Sequence, residues 1–236
     1  MISILLPTRN RVVALEKSLL SLLTNASDPS NIEVLLAIDS DDSNSTEYLS
    51  STQWHNIVAK YSFKPVVVTT ERKGYLNLNQ YVNLLGDKAR GEWLMFWNDD
   101  AEMLTPDWDT HIQYKTYFGC LRMPCENQPH PFALFPIIPK RWIDVFGCIS
   151  PVTHSDWWVY NVCIAQNRVK DIPVSVRHNR ADLNGKNADE TYGEQNYSLD
   201  GHSPHDTRDW SHPQRRIDLN TWRDTLLLYG YPHETK

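Results

Sequence analysis

No apolar run in this chain is long enough to cross a bilayer; the first, ISILL, is closed by Pro7. The opening MISILLPTRNR also lacks the basic start, long apolar segment and small-residue cleavage site of a signal peptide. A soluble protein of the cytoplasm, or of a host's cytoplasm if viral, is therefore expected. Cysteine is scarce: Cys120, Cys125, Cys148 and Cys163 are scattered beside apolar residues and read as reduced core or near-core thiols. Cys120 and Cys125 are too far apart for a CxxC knuckle and no second pair follows, which excludes the usual cysteine zinc frame. No Gly-x-Ser-x-Gly elbow occurs, so a Ser/His/Asp hydrolase of that type is disfavoured. The stretch PTRNRVVALEK contains no glycine, so the Gly-rich phosphate loop expected of a nucleotidyltransferase is missing. Internal repeats, low-complexity tracts and obvious linkers are absent as well.

What remains is an ordinary globular composition. With 236 residues, 41% hydrophobic and 22% charged, the chain suits one α/β domain with a substantial core. The formal charge of -6 counts against gripping a phosphate backbone over a broad surface, although a local basic groove remains open. Compact apolar runs at 2–6, 32–38 (IEVLLAI), 65–69 (PVVVT) and 92–97 (EWLMFW) predict buried strands. Helical stripes at 11–23 and, more weakly, at 76–85 separate them. Such alternation predicts a mostly parallel sheet flanked by helices, with ligands bound beyond the carboxyl ends of the strands. Further on, 132–138 reads as an edge strand bent at Pro136, 140–146 and 156–165 as short helices, and 172–176 as a last strand. Residues 178–216 are rich in His, Asn, Asp, Gly and Arg with little periodicity, the mark of a functional loop or of disorder. A closing helix is expected over 218–229, docking through Leu219, Trp222, Leu226 and Leu227. The single domain thus divides into a first half over 1–104, a second over 105–180, and a loop with its final helix over 181–236.

Three of the four early strands end in polar clusters that would share one rim of the sheet: Pro7-Thr8-Arg9-Asn10, Asp39-Ser40-Asp41-Asp42-Ser43 and Asn98-Asp99-Asp100. Adjacent carboxylates after an apolar strand repel each other, so something positive should sit beside them. Hard oxygen ligands with open positions suit Mg2+ or Mn2+ bound together with a diphosphate. The bland alternative is a solvated acidic turn ahead of a helix near Thr105-Pro106.

In order and spacing, ISILLPTRNR, LLAIDSDDSNS and GEWLMFWNDDAEM resemble the nucleotide-binding half of the family-two inverting glycosyltransferases, which have the GT-A fold. Pro7, Thr8 and Asn10 match the family's first-strand turn, Asp39 and Ser43 its second, and Asn98-Asp99-Asp100 its Asp-x-Asp motif. Gly74 and Asn79, in ERKGYLNLNQ, resemble the stretch beside the nucleotide between strands three and four. The resemblance covers roughly residues 1–180. It implies transfer of a sugar from a nucleotide diphosphate, a UDP-sugar being the first choice, to an acceptor hydroxyl. By position, Asp39 would contact the base or ribose, Asp99 the ribose or metal shell, and Asp100 a Mn2+ or Mg2+ cofactor. Asn98 departs from the usual carboxylate, and a catalytically silent nucleotide-sugar-binding protein is the main alternative function.

The stretch FPIIPKRWIDVFGCISPVTHSDWWVYNVCIA resembles the family's acceptor region, Gly147 and Asp156 matching its helix-ending glycine and its acidic residue. An inverting transfer needs a base opposite the leaving group, and Asp156 is the candidate; capping of the helix by Ser155 or Asp156 is the structural alternative. His178, after DIPVSV, resembles the C-terminal histidine that reaches the metal or diphosphate. Arg177, Arg180 and Lys186 lie nearby as possible diphosphate partners. Trp93 and Trp97 read as core; Trp157 and Trp158 as a sugar-stacking platform, or one of them as core. His202, His205 and His212 are not expected to bind zinc. The acceptor stays open among glycan, lipid-linked sugar, small molecule, protein and modified DNA base, DNA being disfavoured by the net charge though not by the basic, aromatic RDWSHPQRRIDLNTWR.

Overall fold

The longest apolar runs become the inner strands of one sheet. A computed structural model describes residues 1–112, 116–127 and 132–180, together with 220, 221, 223–225, 227 and 228. Strands β1 (Ile2–Pro7), β2 (Ile32–Asp39) and β4 (Trp93–Phe96) are buried almost throughout, whereas β3 (Lys64–Thr70) alternates exposed and half-buried positions. That contrast follows from position: β3 is an edge, β1 and β2 lie inside. β5 (Ala101–Met103), β6 (Cys120–Arg122), β7 (Ile137–Pro139), β8 (Val169–Asp171) and β9 (Val176–His178) complete the described strands. Seven of them form a sheet in the order β3-β2-β1-β4-β7-β6-β8, in which only β7 runs antiparallel to its neighbours.

Helices cover both faces because alternate strand residues point to opposite sides. Ile2, Ile4 and Leu6 of β1 join α1 (Val12–Thr24) through Leu15, Leu19, Leu22 and Leu23. Leu5 packs on the other side with α4 (Leu78–Lys88) and α6 (Ser155–Ala165). Two polar devices tie this frame together. Ser18, on the buried face of α1, accepts from Trp97 Nε1 at 2.7 Å and donates to the Asn98 carbonyl at 2.9 Å, which fixes the turn after β4. At the opposite rim, fully buried Glu33 accepts from Ser3 Oγ (2.7 Å), the Arg90 amide (2.8 Å) and Arg90 Nε (2.7 Å). Those bonds outweigh the burial that opposes ionisation and hold its carboxyl below the ordinary range.

Several elements depart from the sequence expectations. Helices α2 (Ser43–Leu49) and α3 (Thr52–Tyr61) fill the connection from β2 to β3; both start at side-chain caps, Asp42 accepting from the Ser45 amide and Ser51 from the Trp54 amide. The strand expected at 132–138 forms only at its end, as β7, which begins just past Pro136. The last strand expected at 172–176 is replaced by β8 before it and β9 after it. β9 leaves the main sheet and pairs antiparallel with β5, Ala101 standing opposite His178. Helix α5 (Arg141–Phe146) closes on Gly147 in the left-handed region at φ 75, a conformation that favours glycine. The four cysteines form no disulfide, Cys120 and Cys163 being buried and Cys125 and Cys148 half-buried. Trp93 and Trp97 are core residues, as expected. The polar segment from 181, with Lys186, His202, His205 and His212, lies outside the described residues. The described positions between 220 and 228 are helical, and Leu227 and Leu228 are exposed there; Leu219, Trp222 and Leu226, expected to dock the helix, lie outside the described residues.

Candidate active site

Because β2, β1 and β4 are adjacent and parallel, their carboxyl ends open on one rim. A cavity of about 480 Å3 lies there. Of the residues that the sequence points to, Pro7, Thr8, Asp39, Gly74, Asn98, Asp99, Asp100, Asp156 and His178 all line it. Asn10 and Asn79 are not brought to its wall. Asn10 instead braces the rim: its amide donates to Asp42 Oδ2 at 2.9 Å and its side chain accepts from Asn44 at 3.2 Å. It does so with φ 55, in the left-handed region that Asn tolerates.

At the β2 end, Asp39 is buried and both its oxygens are engaged, Oδ1 by the Tyr81 hydroxyl and Oδ2 by Arg9 Nη1 at 3.0 Å. Tyr81 OH in turn accepts from the Lys73 amide at 2.6 Å, and burial, then the hydrogen bond to Asp39, pushes the phenol up to about 12. Arg9 forks onto Asp41 at 2.6 and 3.0 Å. Sequence reasoning missed the roles of Arg9 and Tyr81; the alternation of charges in TRN and DSDD is the only hint that Arg9 would bridge two carboxylates.

At the β4 end, Asp99 is 5% exposed and accepts from Thr8 Oγ1 at 2.7 Å and from Arg11 Nη1 at 3.1 Å. Burial dominates and raises its carboxyl to about 6, against the favourable charge of Arg11. Arg11 also stands 3.9 Å from Asp100 Oδ2. The positive partner expected beside the paired carboxylates is thus, in part, this arginine. The β5–β9 ribbon brings in His178, whose Nε2 lies 3.0 Å from Asp100 Oδ1 and 3.4 Å from Asn98 Nδ2. His178 is fixed from behind by Asn127, which donates to its carbonyl at 2.8 Å and accepts from its amide at 3.0 Å.

Asp156 enters from the opposite wall in the first turn of α6. The residue at the N-cap position is His154, which makes no side-chain cap bond, and Ser155 Oγ donates to the Val152 carbonyl at 3.1 Å. Half-buried Asp156 is held by its own amide and that of Trp157, yet burial prevails and pushes the carboxyl up to about 6. The tandem tryptophans split, Trp158 into the core and Trp157 onto the cavity wall. Arg72 and Arg180 also line the cavity, while Arg177 points elsewhere, pairing with Glu126 at 2.9 Å.

A divalent ion would find two protein ligands, the Asp100 carboxylate and the His178 imidazole, already within 3.0 Å of each other on the cavity wall. Hard oxygen and imidazole nitrogen suit Mn2+ or Mg2+, and a shell left open on the cavity side can take diphosphate oxygens and water. No cluster of three or more His, Cys, Asp or Glu able to hold an ion occurs among the described residues, which thus offer a partial shell that fits.

Residues 3–115 match the sequence model of Glycosyl transferase family 2. Over that stretch, just under half of its length, the chain is similar to the family-two glycosyltransferases. No curated protein sequence matches it. Among solved structures the chain is similar to S. aureus TarS 1-349 in complex with UDP, at 15% identity and TM-score 0.52, over 75% of this chain and 60% of that one. It is also similar to the mannosyltransferase PcManGT from Pyrobaculum calidifontis in complex with GDP-Man and Mn2+, at 12% identity and TM-score 0.60, covering 99% of this chain and 76% of that one. A third, TarS 1-349 in complex with UDP-GlcNAc, gives 13% identity and TM-score 0.52, covering 97% of this chain and 73% of that one. At such identities the likeness speaks for the GT-A fold alone, and the chain spans less than two thirds of the first TarS chain's length. No helix among its described residues is long and apolar enough to cross a membrane.

Proposed function

We propose that this protein is a glycosyltransferase, which transfers a sugar, with inversion, from a nucleoside-diphosphate sugar to an acceptor hydroxyl of a glycan or small molecule, with a divalent metal as cofactor. The observation that carries it is the joint presence, on one cavity wall or another, of the Asp100–His178 pair and the helix-seated carboxyl of Asp156. Charge supports the metal. Among the described residues four arginines (Arg9, Arg11, Arg72, Arg180) and four aspartates (Asp39, Asp99, Asp100, Asp156) line the cavity, so the charges of that lining cancel. An entering diphosphate would leave negative charge uncompensated, which a divalent ion offsets.

Asp39, clamped by Tyr81 and Arg9, orients the nucleoside. Asp100 and His178 would hold Mn2+ or Mg2+, which supplies positive charge where negative charge grows on the leaving diphosphate. Asp156 accepts the proton of the acceptor hydroxyl as that oxygen bonds to the anomeric carbon. The bond from the same carbon to the diphosphate oxygen breaks, and its electron pair leaves on the diphosphate. A carboxyl raised to about 6 is still ionised at neutral pH and is a stronger base than an ordinary aspartate. Trp157 offers an apolar face on which an acceptor sugar ring can lie. UDP- and GDP-sugars, held by the structural relatives, are the first donors to test.

The test is a thermal-shift panel of UDP-, GDP-, CMP- and dTDP-sugars, each with Mn2+ and again with chelator, followed by donor consumption in the presence of candidate acceptors. A metal-dependent rise with one nucleotide family, then turnover, is expected. Binding without any consumption would assign a silent nucleotide-sugar-binding protein instead. No shift with any donor would overturn the proposal.

A further inference from the structure

The buried carboxylate Asp99 spends both oxygens inside the protein. Thr8 Oγ1 donates to Oδ2 at 2.7 Å and Arg11 Nη1 to Oδ1 at 3.1 Å. Buried and bonded at both oxygens, it is well placed to act as a seat. What it seats is a guanidinium that lines the cavity beside the Asp100–His178 pair, 3.9 Å from Asp100 Oδ2. The seat is rigid for local reasons: Thr8 follows directly on β1, its amide donating to the Ala37 carbonyl at 3.0 Å, and Arg11 stands at the N-cap position of α1. Neither end of the contact can drift without distorting the sheet or the helix.

From this geometry, and resting on the donor-site reading above, we infer that Arg11 is a diphosphate-binding residue. Anchored on Asp99, it faces the phosphate oxygens of the nucleoside diphosphate. A guanidinium carries five N–H donors in a fixed fork, so a group seated on a carboxylate can also contact phosphate. The 3.9 Å approach to Asp100 is looser than the bond to Asp99, and it is the one released when Asp100 turns to a cation. Arg11 then supplies a share of diphosphate affinity that does not depend on metal. Asp99 is a positioning residue acting through Arg11.

The experiment is isothermal titration of the full chain with UDP and with GDP, in Mn2+ and in chelator, with uridine and guanosine as controls. For whichever diphosphate the wild type binds, measurable binding is expected to persist in chelator. Arg11→Gln should weaken that diphosphate by about ten-fold or more in both conditions, the scale of a lost charge-assisted hydrogen bond to phosphate. The matching nucleoside should change by no more than about two-fold, and Arg11→Lys, which keeps the charge but not the fork, should fall between wild type and Arg11→Gln. Equal weakening of nucleoside and nucleoside diphosphate would mean a structural role and overturn the inference. So would unchanged diphosphate binding by Arg11→Gln, or wild-type binding that vanishes in chelator; each of these leaves the donor site itself intact. Failure of the wild type to bind UDP or GDP under any condition defeats the donor-site reading, and the inference with it.

Discussion

Asp100 and His178 stand 78 positions apart in the chain and 3.0 Å apart in space, joined by the short ribbon that pairs Ala101 with His178. The Asn179 amide closes the same contact by donating to the Asp100 carbonyl at 2.7 Å. A carboxylate from the first half of the chain and an imidazole from the second are thereby offered together to whatever enters the cavity.

If that pair holds the cofactor, removing either member removes metal-dependent affinity. His178→Ala and Asp100→Asn are each expected to weaken the Mn2+-dependent part of nucleoside-diphosphate binding by about ten-fold or more, while binding in chelator stays near wild type. Paired titrations with and without Mn2+ check this. Equal losses in both conditions would contradict the assignment.

Asp156→Asn separates chemistry from binding. Transfer should fall by about 10²- to 10⁴-fold, the usual contribution of a general base, with donor affinity within about two-fold of wild type. Single-turnover transfer and titration of the donor are the two measurements, and transfer at the wild-type rate would mean that another residue takes the proton.

The raised Asp156 carboxyl fixes the direction of two pH effects. The base works only when ionised, so kcat at saturating donor should fall as pH drops through about 6, well above the point at which an ordinary aspartate would titrate. Stability runs the other way. A carboxyl whose folded pKa is raised contributes stability while protonated, and that contribution is lost as pH rises from the ordinary value of 3.8 through about 6. Asp156→Asn should therefore melt higher than wild type at about pH 7.5 and lose that advantage near about pH 4. A variant that melts lower throughout would show that the ionised carboxylate stabilises the fold.

Glu33 provides the contrast at the far rim. Glu33→Ala deletes a fully buried acceptor of three hydrogen bonds and is expected to cost about 1–3 kcal/mol of stability. Donor affinity should not change, because the network lies at the amino ends of the strands. Denaturant unfolding and donor titration measure the two effects, and a loss of affinity in a folded Glu33→Ala protein would contradict this separation.

Much of the donor half is legible in the amino-acid order. Runs such as IEVLLAI are dominated by apolar residues, as a strand covered on both faces requires, and polar clusters at their ends mark the rim where a parallel sheet binds ligands. Short polar helices are less legible: α2 is announced only by its capping Asp42, whereas α3 has its cap at Ser51 and a short stripe of Trp54, Ile57, Val58 and Tyr61 set among polar residues. The short strands of the second half are hidden too. Three residues carry almost no pattern, and 172–176 is apolar because Ile172, Val174 and Val176 are buried, not because they pair as one strand.

By itself, then, the amino-acid order determined which segments must be buried and which carboxylates follow them, because burial and strand polarity are local properties of apolar runs. Of the eleven site residues it pointed to, all but Asn10 and Asn79 meet at the cavity. Only the tertiary structure decided which charges neutralise which. Arg9 spans from the end of β1 to Asp39 and Asp41, Arg11 settles on Asp99, and Tyr81 reaches Asp39 from α4. Such pairings depend on strand order and on the direction in which each side chain leaves the backbone. Neither quantity is written in any one segment of the chain.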